Sequence, residues 1–238
     1  MKNFKSQHFL FLVMLFFFNH SFGQNDNFYT KIQEKKIRGE QYWDSFKLYE
    51  EALENAEGSP YANPDFLPGR LYKGKESVSN IMFLRYNGMS DEIEVKPTEG
   101  TTLIQTIIKD PEIFAKVGDE MYMYVESENP DENGGYFKIV KDLQVYDLVK
   151  KVKITFKEAQ FAKTSYDKNT PAQFITETTY FLTDDKGTFY ELPNSKAKIL
   201  KVMAKKKSEV KAFMQKGNID ITKENDLSRL VTYFNSLL

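Results

Sequence analysis

The spacing of apolar residues predicts a helix near the start of the chain. Between Glu40 and Glu57 they recur at the three- and four-residue intervals of one helical stripe: Tyr42, Phe46, Tyr49, Leu53 and Ala56. Gly58 follows, and glycine suits the left-handed conformation that ends many helices. The next stretch, "SPYANPDFLPG", holds three prolines and predicts an irregular connection.

From about Gly69 the pattern changes to short strand-like runs. "VSNIMFLRYNG" ends in Asn87-Gly88, a strong hairpin signal because both residues tolerate positive φ, and "DEIEVK" then alternates apolar and charged residues. The further runs are Leu103–Ile108, Ile113–Val117, Met121–Glu126, Tyr136–Val140, Leu143–Phe156, Phe174–Leu182 and Thr188–Leu192. Leu143–Phe156 is long for one strand, so we expect a bend in it. Tight turns without intervening helices predict antiparallel pairing.

The helical pattern returns at the end of the chain. Val210, Phe213 and Met214 predict a short helix that ends at Gly217-Asn218. A second stripe consists of Leu227, Leu230, Val231, Phe234, Leu237 and Leu238, with Thr222 as the expected N-cap. An isolated helix of this length is marginal in water, so we expect it to dock on the protein's own sheet and bury Phe234. The alternative is that this apolar stripe binds another molecule, which would leave Phe234 exposed in the monomer.

Together these elements predict an α+β fold that is mainly antiparallel β. We expect a curved sheet, a sandwich or a partial barrel, with the N-terminal helix and the C-terminal helices packed on it. Residues 24–238 are predicted to form a single β-rich domain. The alternative is two subdomains divided near Phe161–Pro171.

The first 23 residues have the organisation of a signal peptide. Lys2 and Lys5 precede an apolar run of ten residues, Phe9–Phe18, and Ser21 and Gly23 then precede Gln24 as small residues before a cleavage site. Spanning a bilayer takes roughly 20 apolar residues, so the run is short for a membrane anchor. We expect export to the periplasm or the medium, with a possible peripheral position on the outer membrane and no membrane span after cleavage.

The composition of the predicted mature chain argues against several kinds of catalytic and metal-binding site. There is no cysteine, and both histidines, His8 and His20, lie in the predicted signal peptide. Ser-His-Asp and Cys-His nucleophiles and ordinary zinc sites are therefore not expected. The formal net charge of −1 does not favour a nucleic-acid binder. We predict no catalytic, cofactor-binding or metal-binding residues and no cofactor.

Three short motifs match catalytic or phosphate-binding patterns only in part. Gly69–Glu76, "GRLYKGKE", resembles a phosphate-binding loop, but Glu76 occupies the position that needs a hydroxyl, so we expect a strand entering a Lys73-Gly74 turn. Ser165–Lys168 and Ser208–Lys211 have the Ser-x-x-Lys spacing of penicillin-recognising enzymes without their other motifs. We interpret both as solvated surface.

Two kinds of charged cluster have a structural and a functional interpretation. The acidic turns, which we interpret as plain turns rather than calcium sites, contain Asp131, Glu132, Asn133, Asp184 and Asp185. The basic stretch consists of Lys196, Lys198, Lys201, Lys205, Lys206, Lys207, Lys211 and Lys216. We interpret this stretch as the solvent-facing side of helices. The alternative is a site for an anionic partner, such as lipopolysaccharide phosphate, nucleic acid or an acidic protein.

Four segments resemble a family of small exported bacterial proteins that have no assigned function. They are "GSPYANPDF", "LRYNGMSDEIEVK", "AKTSYDKNTPAQF" and "LVTYFNSLL". The likeness covers Gly58–Leu238 and includes an Arg85-Tyr86-Asn87 turn followed by the acidic and apolar strand Asp91–Val95. The resemblance implies export and a shared fold, and it supplies no catalytic residues.

The functional expectation is an exported, non-enzymatic envelope or secreted protein that binds a partner protein or a ligand. A concave apolar or aromatic site would favour a ligand, and a flat patch would favour a protein. The alternative is a carboxylate-dependent hydrolase that acts on envelope glycans, because such an enzyme needs only Asp and Glu.

Overall fold

The computed structural model describes Leu53 and residues 55–127, 134–162 and 168–238. It contains one eleven-stranded sheet followed by helices. The strands are β1 (Leu67–Lys73), β2 (Glu76–Ser77), β3 (Met82–Asn87), β4 (Glu92–Lys96), β5 (Gln105–Thr106), β6 (Ile113–Val117), β7 (Glu120–Val125), β8 (Gly135–Lys141), β9 (Asp147–Lys157), β10 (Gln173–Thr183) and β11 (Phe189–Leu192). The helices are α1 (Lys196–Val202), a short 3₁₀ helix (Ala204–Lys206), α2 (Lys207–Lys216) and α3 (Glu224–Ser236).

The sheet is antiparallel at every pairing between these described strands. Its order is β11-β10-β9-β8-β7-β6-β1-β3-β4-β5, with β2 paired to β1. The sheet is open and does not close into a barrel. The prediction of a mainly antiparallel β fold with C-terminal helices is therefore confirmed. Of the predicted helix Tyr42–Ala56, the described residues are Leu53, which is helical, and residues 55 and 56, which form a turn and a bend, so this helix is not confirmed. Its other residues and the predicted signal peptide lie outside the described residues.

The predicted hairpin at Asn87-Gly88 forms between β3 and β4, but with different turn chemistry. Asn87 pairs with Glu92, so the loop consists of residues 88–91. The residue with positive φ is Asp91, at 53°, rather than Asn87 or Gly88. Gly88 is needed for a different reason, because a Cβ there would lie 2.9 Å from the side chain of Ile154.

Other strand predictions hold with shifted bounds. Gly69–Glu76 consists of the end of β1, a turn at Gly74, where φ is 59°, and the start of β2. This is the strand and turn that the sequence predicted in place of a phosphate loop. The run Leu103–Ile108 was predicted as a strand, but only Gln105–Thr106 pairs with β4, and Leu103 and Ile104 are exposed. The bend expected inside Leu143–Phe156 precedes the strand, since β9 begins at Asp147.

Two buried clusters share one face of the sheet. The first lies over β1, β3, β4 and β6–β8, and its members include Leu71, Leu84, Ile93 and Tyr136. The second is formed by the helices against β9–β11, where Leu148, Leu182 and Leu192 meet α1, α2 and α3. Part of this face therefore packs within the curled sheet, and the rest packs against the helices.

The C-terminal helix docks on the protein's own core, as expected. Leu227, Leu230, Val231 and Phe234 are buried, and Phe234 is only 2 % exposed and stacks on Tyr146. Asn218, with φ of 45°, follows α2 at the predicted stop. The prediction that Thr222 caps α3 is wrong. Lys223 is the N-cap residue, and the Thr222 hydroxyl donates to Asp220 instead.

Candidate functional site

β8 and β9 separate partway along their length and leave a fork between them. They pair over Lys138–Lys141 and Leu148–Lys150. Beyond this point β8 stays paired with β7 through Tyr136 and Gly135, whereas β9 stays paired with β10 alone. The backbone groups on the inner edges of the fork therefore need partners from elsewhere in the chain.

The β3–β4 loop, residues 88–91, enters the fork and supplies those partners. The backbone N–H of Tyr136 on β8 donates to Asp91 Oδ1 at 3.1 Å. The backbone N–H of Ile154 on β9 donates to the Gly88 carbonyl at 2.9 Å. Four strands separate β3 from β9 in the sheet order, so the loop holds together two distant parts of a curled sheet.

Tyr86 fastens the base of this loop. Its hydroxyl donates to Asp91 Oδ1 at 2.8 Å and lies 3.0 Å from the Val152 carbonyl oxygen. Its ring packs against Tyr122 and Tyr136, with centroids 5.2 Å and 6.3 Å away. Burial, followed by the nearby Asp91 carboxylate, raises the pKa of Tyr86 well above its ordinary value of 10.0. Tyr86 is therefore a neutral hydrogen-bond donor.

Gly135, at the start of β8, makes the close approach of the loop possible. Its φ is 100°, which side chains rarely adopt, and a Cβ there would overlap the carboxylate of Asp91. The neighbouring Lys151 places its ammonium on the Gly134 carbonyl oxygen and 5.4 Å from the centre of the Phe137 ring. Hydrogen bonds that involve the loop backbone and the side chains of Asp91 and Lys151 thus bridge the two sides of the fork.

A cleft of about 530 Å³ lies between this loop and the β9–β10 hairpin. Its apolar floor includes Met89, Val152 and Phe181. Its charged lining consists of three lysines and three carboxylates: Lys109, Lys151, Lys153, Asp91, Glu177 and Glu191. A volume of this size suits a small molecule, since ligand pockets run from about 300 to 1,000 Å³.

The charges in the cleft alternate in sign on neighbouring strands. Lys153 on β9 stands directly opposite Glu177 on β10. Lys151 is the next residue on the same face of β9, and the loop brings Asp91 from the other side. The cleft therefore offers both an ammonium and a carboxylate to a bound molecule, above an apolar floor.

A second polar arrangement crosses the face of the sheet that carries the helices. Tyr122, Lys138, Lys150 and Tyr180 are cross-strand neighbours in a row over β7, β8, β9 and β10. Glu224, the first residue of α3, lies against this row. It accepts from Lys150 Nζ at 2.6 Å and from the Tyr180 hydroxyl at 2.9 Å. The row therefore anchors the start of α3 to the sheet.

Two carboxylates converge on the Lys138 ammonium in this row. A glycan hydrolase needs two carboxylates that face each other across a substrate cleft, and neither of these two lines the cleft beside the β3–β4 loop. Glu120 forms an ion pair with Lys138, and Glu224 Oε1 lies 3.9 Å from the same ammonium. Burial pushes the pKa of Glu224 up, but Lys150, the Tyr180 hydroxyl and Lys138 together outweigh it and hold that pKa below its usual value. A general acid needs a raised pKa, so the electrostatics here oppose that role.

The motifs noted in the sequence that fall on described residues lie in a turn or on an exposed helix surface. Asp184 forms the β10–β11 turn, and its Oδ1 accepts from the backbone N–H groups of Lys186 and Thr188. Ser208 and Lys211 are exposed on α2. The acidic turn at 131–133 and Ser165 lie outside the described residues.

The cleft itself was not identified from the sequence. Lys151, Lys153 and Glu177 alternate with other residues along two strands, which is the pattern of an ordinary solvated sheet face. The Asn87-Gly88 signal did indicate a hairpin at this point. That this loop reaches β9 depends on the curl of the sheet, which local spacing does not encode.

The chain that precedes β1 packs against the base of this loop. The segment 58–66 lies on the segment 84–96, because the Pro60 carbonyl accepts from Gly88 N–H at 2.9 Å and the Tyr61 ring lies 3.5 Å from the Arg85 guanidinium. At the segment 162–174, Phe174 N–H donates to the Glu57 carbonyl at 2.8 Å. The chain that precedes β1 therefore contacts both the β3–β4 loop and the start of β10.

Within the described ranges, the acidic and histidine side chains form no cluster of three that could hold a metal ion. No helix in that part of the chain has the length and apolar character needed to cross a bilayer.

No family model, no curated protein and no solved structure matches this chain.

Proposed function

We propose that this protein is exported and acts without catalysis, by binding a small ligand in the cleft beside the β3–β4 loop. The observation that supports the proposal is the lining of three lysines and three carboxylates over an apolar floor. The expected ligand carries a positive and a negative group, as a free amino acid or a short peptide does.

Electrostatics favour such a ligand over one that carries a single charge. A charged group taken out of water is costly unless an opposite charge meets it. A ligand carboxylate can pair with Lys153 while its ammonium pairs with Glu177 or Glu191, so both desolvation costs are offset. A ligand with only one of the two charges would leave either the lysines or the carboxylates of the cleft without a ligand group of opposite charge.

Binding can be tested by calorimetry with free amino acids and with dipeptides and tripeptides. Each peptide is compared with its N-acetylated and its C-amidated form. We expect measurable binding of some free peptides and at least about tenfold weaker binding of both capped forms, because each cap removes one ion pair. Equal binding of free and capped peptides, or no binding at all, would refute the proposed ligand class.

The matched variants are Lys153→Gln and Lys157→Gln. Both lysines are exposed on β9, but only Lys153 lines the cleft. The first variant should weaken binding, and the second should leave it unchanged. Equal effects would show that binding depends on overall charge rather than on the cleft.

Export is supported by the charge, apolar run and small residues of the first 23 positions. Fractionation of the producing cells and mass spectrometry of the N-terminus test it. We expect the protein in the periplasm or the medium with Gln24 as its first residue. An intact Met1 in the cytoplasm would contradict export.

A carboxylate-dependent hydrolase remains the second candidate, because Glu120 and Glu224 both approach Lys138. Incubation of the purified protein with envelope glycans distinguishes the two proposals. Turnover that is abolished in Glu224→Gln would favour the hydrolase. The binding proposal expects no turnover.

A further inference from the structure

The helices α1 and α2 carry a strong local excess of positive charge. Eight lysines and a single glutamate occur between Lys196 and Lys216, whereas the whole chain has a formal net charge of −1. The rest of the chain is therefore net negative, and the positive charge is concentrated in one short helical segment.

These lysines point to solvent because the apolar side of each helix is taken up by the core. Ile199 of α1 and Val210 of α2 are fully buried, and Met214 is almost so. Seven of the eight lysines are exposed, and Lys206 is partly buried. The charge is therefore available on the surface of the folded protein.

The lysines of this segment also lack the partners that other lysines have. Lys138 and Lys150 each form an ion pair on the sheet. None of the eight lysines forms an ion pair with a carboxylate in the described part of the chain. An external anion would meet their charges without first breaking an ion pair in this part of the structure.

Exposed apolar side chains lie beside this basic segment. Lys205 Nζ is 6.0 Å from the centre of the Tyr146 ring, and that ring contacts Tyr190 at 5.9 Å. Val145, next to Tyr146, and Tyr190 are each 40 % exposed. Basic residues beside exposed apolar and aromatic ones are typical of proteins that bind at the surface of a bilayer.

Nucleic acid fits this segment less well than a lipid surface. Arginine, whose planar guanidinium recognises phosphate and bases in a directed way, is absent from Lys196–Lys216. The aromatic rings beside α2 are not free to stack on bases, since Phe213 and Tyr233 stack on each other at 4.1 Å. Lysine ammonium groups act as point charges and suit a diffuse layer of anionic headgroups.

We propose that the lysine-bearing surface of α1 and α2 docks this protein on a membrane whose headgroups are anionic. The lysines supply long-range attraction, and Val145 and Tyr190 enter the headgroup region. This surface is separate from the cleft beside the β3–β4 loop, and docking does not depend on the proposed ligand.

Co-sedimentation with lipid vesicles tests the proposal. The protein is used in the form that its producing cells accumulate, with vesicles of phosphatidylcholine alone and of phosphatidylcholine with 30 mol % phosphatidylglycerol, roughly an anionic bacterial surface. We expect binding to the anionic vesicles, little binding to the neutral ones, and loss of binding in about 0.5 M salt, where screening is strong.

Two quadruple variants separate local from overall charge. The first changes Lys198, Lys201, Lys207 and Lys211 to glutamine, and the second makes the same change at Lys75, Lys157, Lys168 and Lys186. All eight side chains are exposed, so we expect both variants to fold, which circular dichroism checks. The first should bind anionic vesicles on the order of a hundredfold more weakly, and the second should bind like the unchanged protein.

Three results would overturn the proposal. They are equal loss in the two variants, equal binding to neutral and anionic vesicles, and binding of duplex DNA in place of vesicles. Peptide calorimetry on the same variants keeps the two proposals apart, because the first variant should bind the cleft ligand normally whether or not it binds membranes.

Discussion

The carboxylate of Asp91 accepts a hydrogen bond from the backbone N–H of Tyr136, which lies 45 residues later in the chain. Asp91 has a left-handed backbone with φ of 53°, and Gly135, beside Tyr136, has φ of 100°. Both unusual conformations occur where the β3–β4 loop enters the fork between β8 and β9. Local strain of this kind persists only where the surrounding contacts hold it in place.

Gly135→Ala should destabilise the protein. The alanine would combine a positive φ, which alone costs about 1–3 kcal/mol, with overlap on Asp91. Urea unfolding measures the loss. Gly100→Ala is the control, since a Cβ there meets nothing within 4 Å, and its effect should stay within about 1 kcal/mol. Similar stabilities for the two variants would mean that the loop does not depend on Gly135.

Phe234→Ala should lower the free energy of unfolding by about 3–5 kcal/mol, the usual cost of emptying a buried phenylalanine site. Phe234 is 2 % exposed and stacks on Tyr146, so its removal leaves a cavity between α3 and the sheet. Leu238→Ala, at a site 45 % exposed in the same segment, should change little. An unchanged melting temperature in Phe234→Ala would contradict the docking of α3.

Stability should fall on acidification through the protonation of Glu224. Burial raises the pKa of Glu224, but Lys150, the Tyr180 hydroxyl and Lys138 together outweigh it and hold that pKa below the ordinary 4.5, so folding favours the carboxylate. Its contribution is present above pH 4.5 and is lost as pH falls through the folded pKa. In Glu224→Gln the protein should be less stable at pH 7, and this part of the pH dependence should disappear.

The control for this measurement is Glu209→Gln, which changes an exposed glutamate on α2. Urea unfolding of the three proteins between pH 3 and pH 7 compares them. If Glu209→Gln and Glu224→Gln have the same pH profile, the row of Lys138, Lys150 and Tyr180 does not stabilise the start of α3.

Stability should also fall at alkaline pH because of three buried tyrosines. Burial is the main cause that raises the pKa of Tyr86, Tyr122 and Tyr136 above the ordinary 10.0, with nearby carboxylates adding to it. Their contribution is present below pH 10 and is lost as pH rises, because the unfolded chain ionises first. Absorbance of tyrosinate should show a group of tyrosines, these three among them, that ionise only on unfolding. Complete ionisation with an intact circular dichroism spectrum would contradict this.

The hairpin at Asn87-Gly88 shows how far the sequence predicted local structure. Alternation on both sides of the turn predicted two paired strands, and they form. The predicted position of the positive φ was wrong. Asp91 is held in the left-handed region by hydrogen bonds from Tyr86 and from Tyr136, and Tyr136 is distant in the sequence. Thr222 is a similar case, since its hydroxyl binds Asp220 rather than the first turn of α3.

By itself, the sequence determined the class of fold and the elements at the C-terminus. Period-two and period-3.6 patterns are set by which side of each element avoids water, so Phe234 could be assigned to the core. The cleft and the row of polar side chains were decided only by the tertiary structure. Lys153, Glu177, Lys138 and Glu224 look like solvated charges along the chain. Lys138 and Glu224 acquire their ion pairs only when the strands pair and α3 docks. Lys153 and Glu177 come to line a cleft only when the sheet curls. That long-range packing leaves no periodic pattern in the sequence.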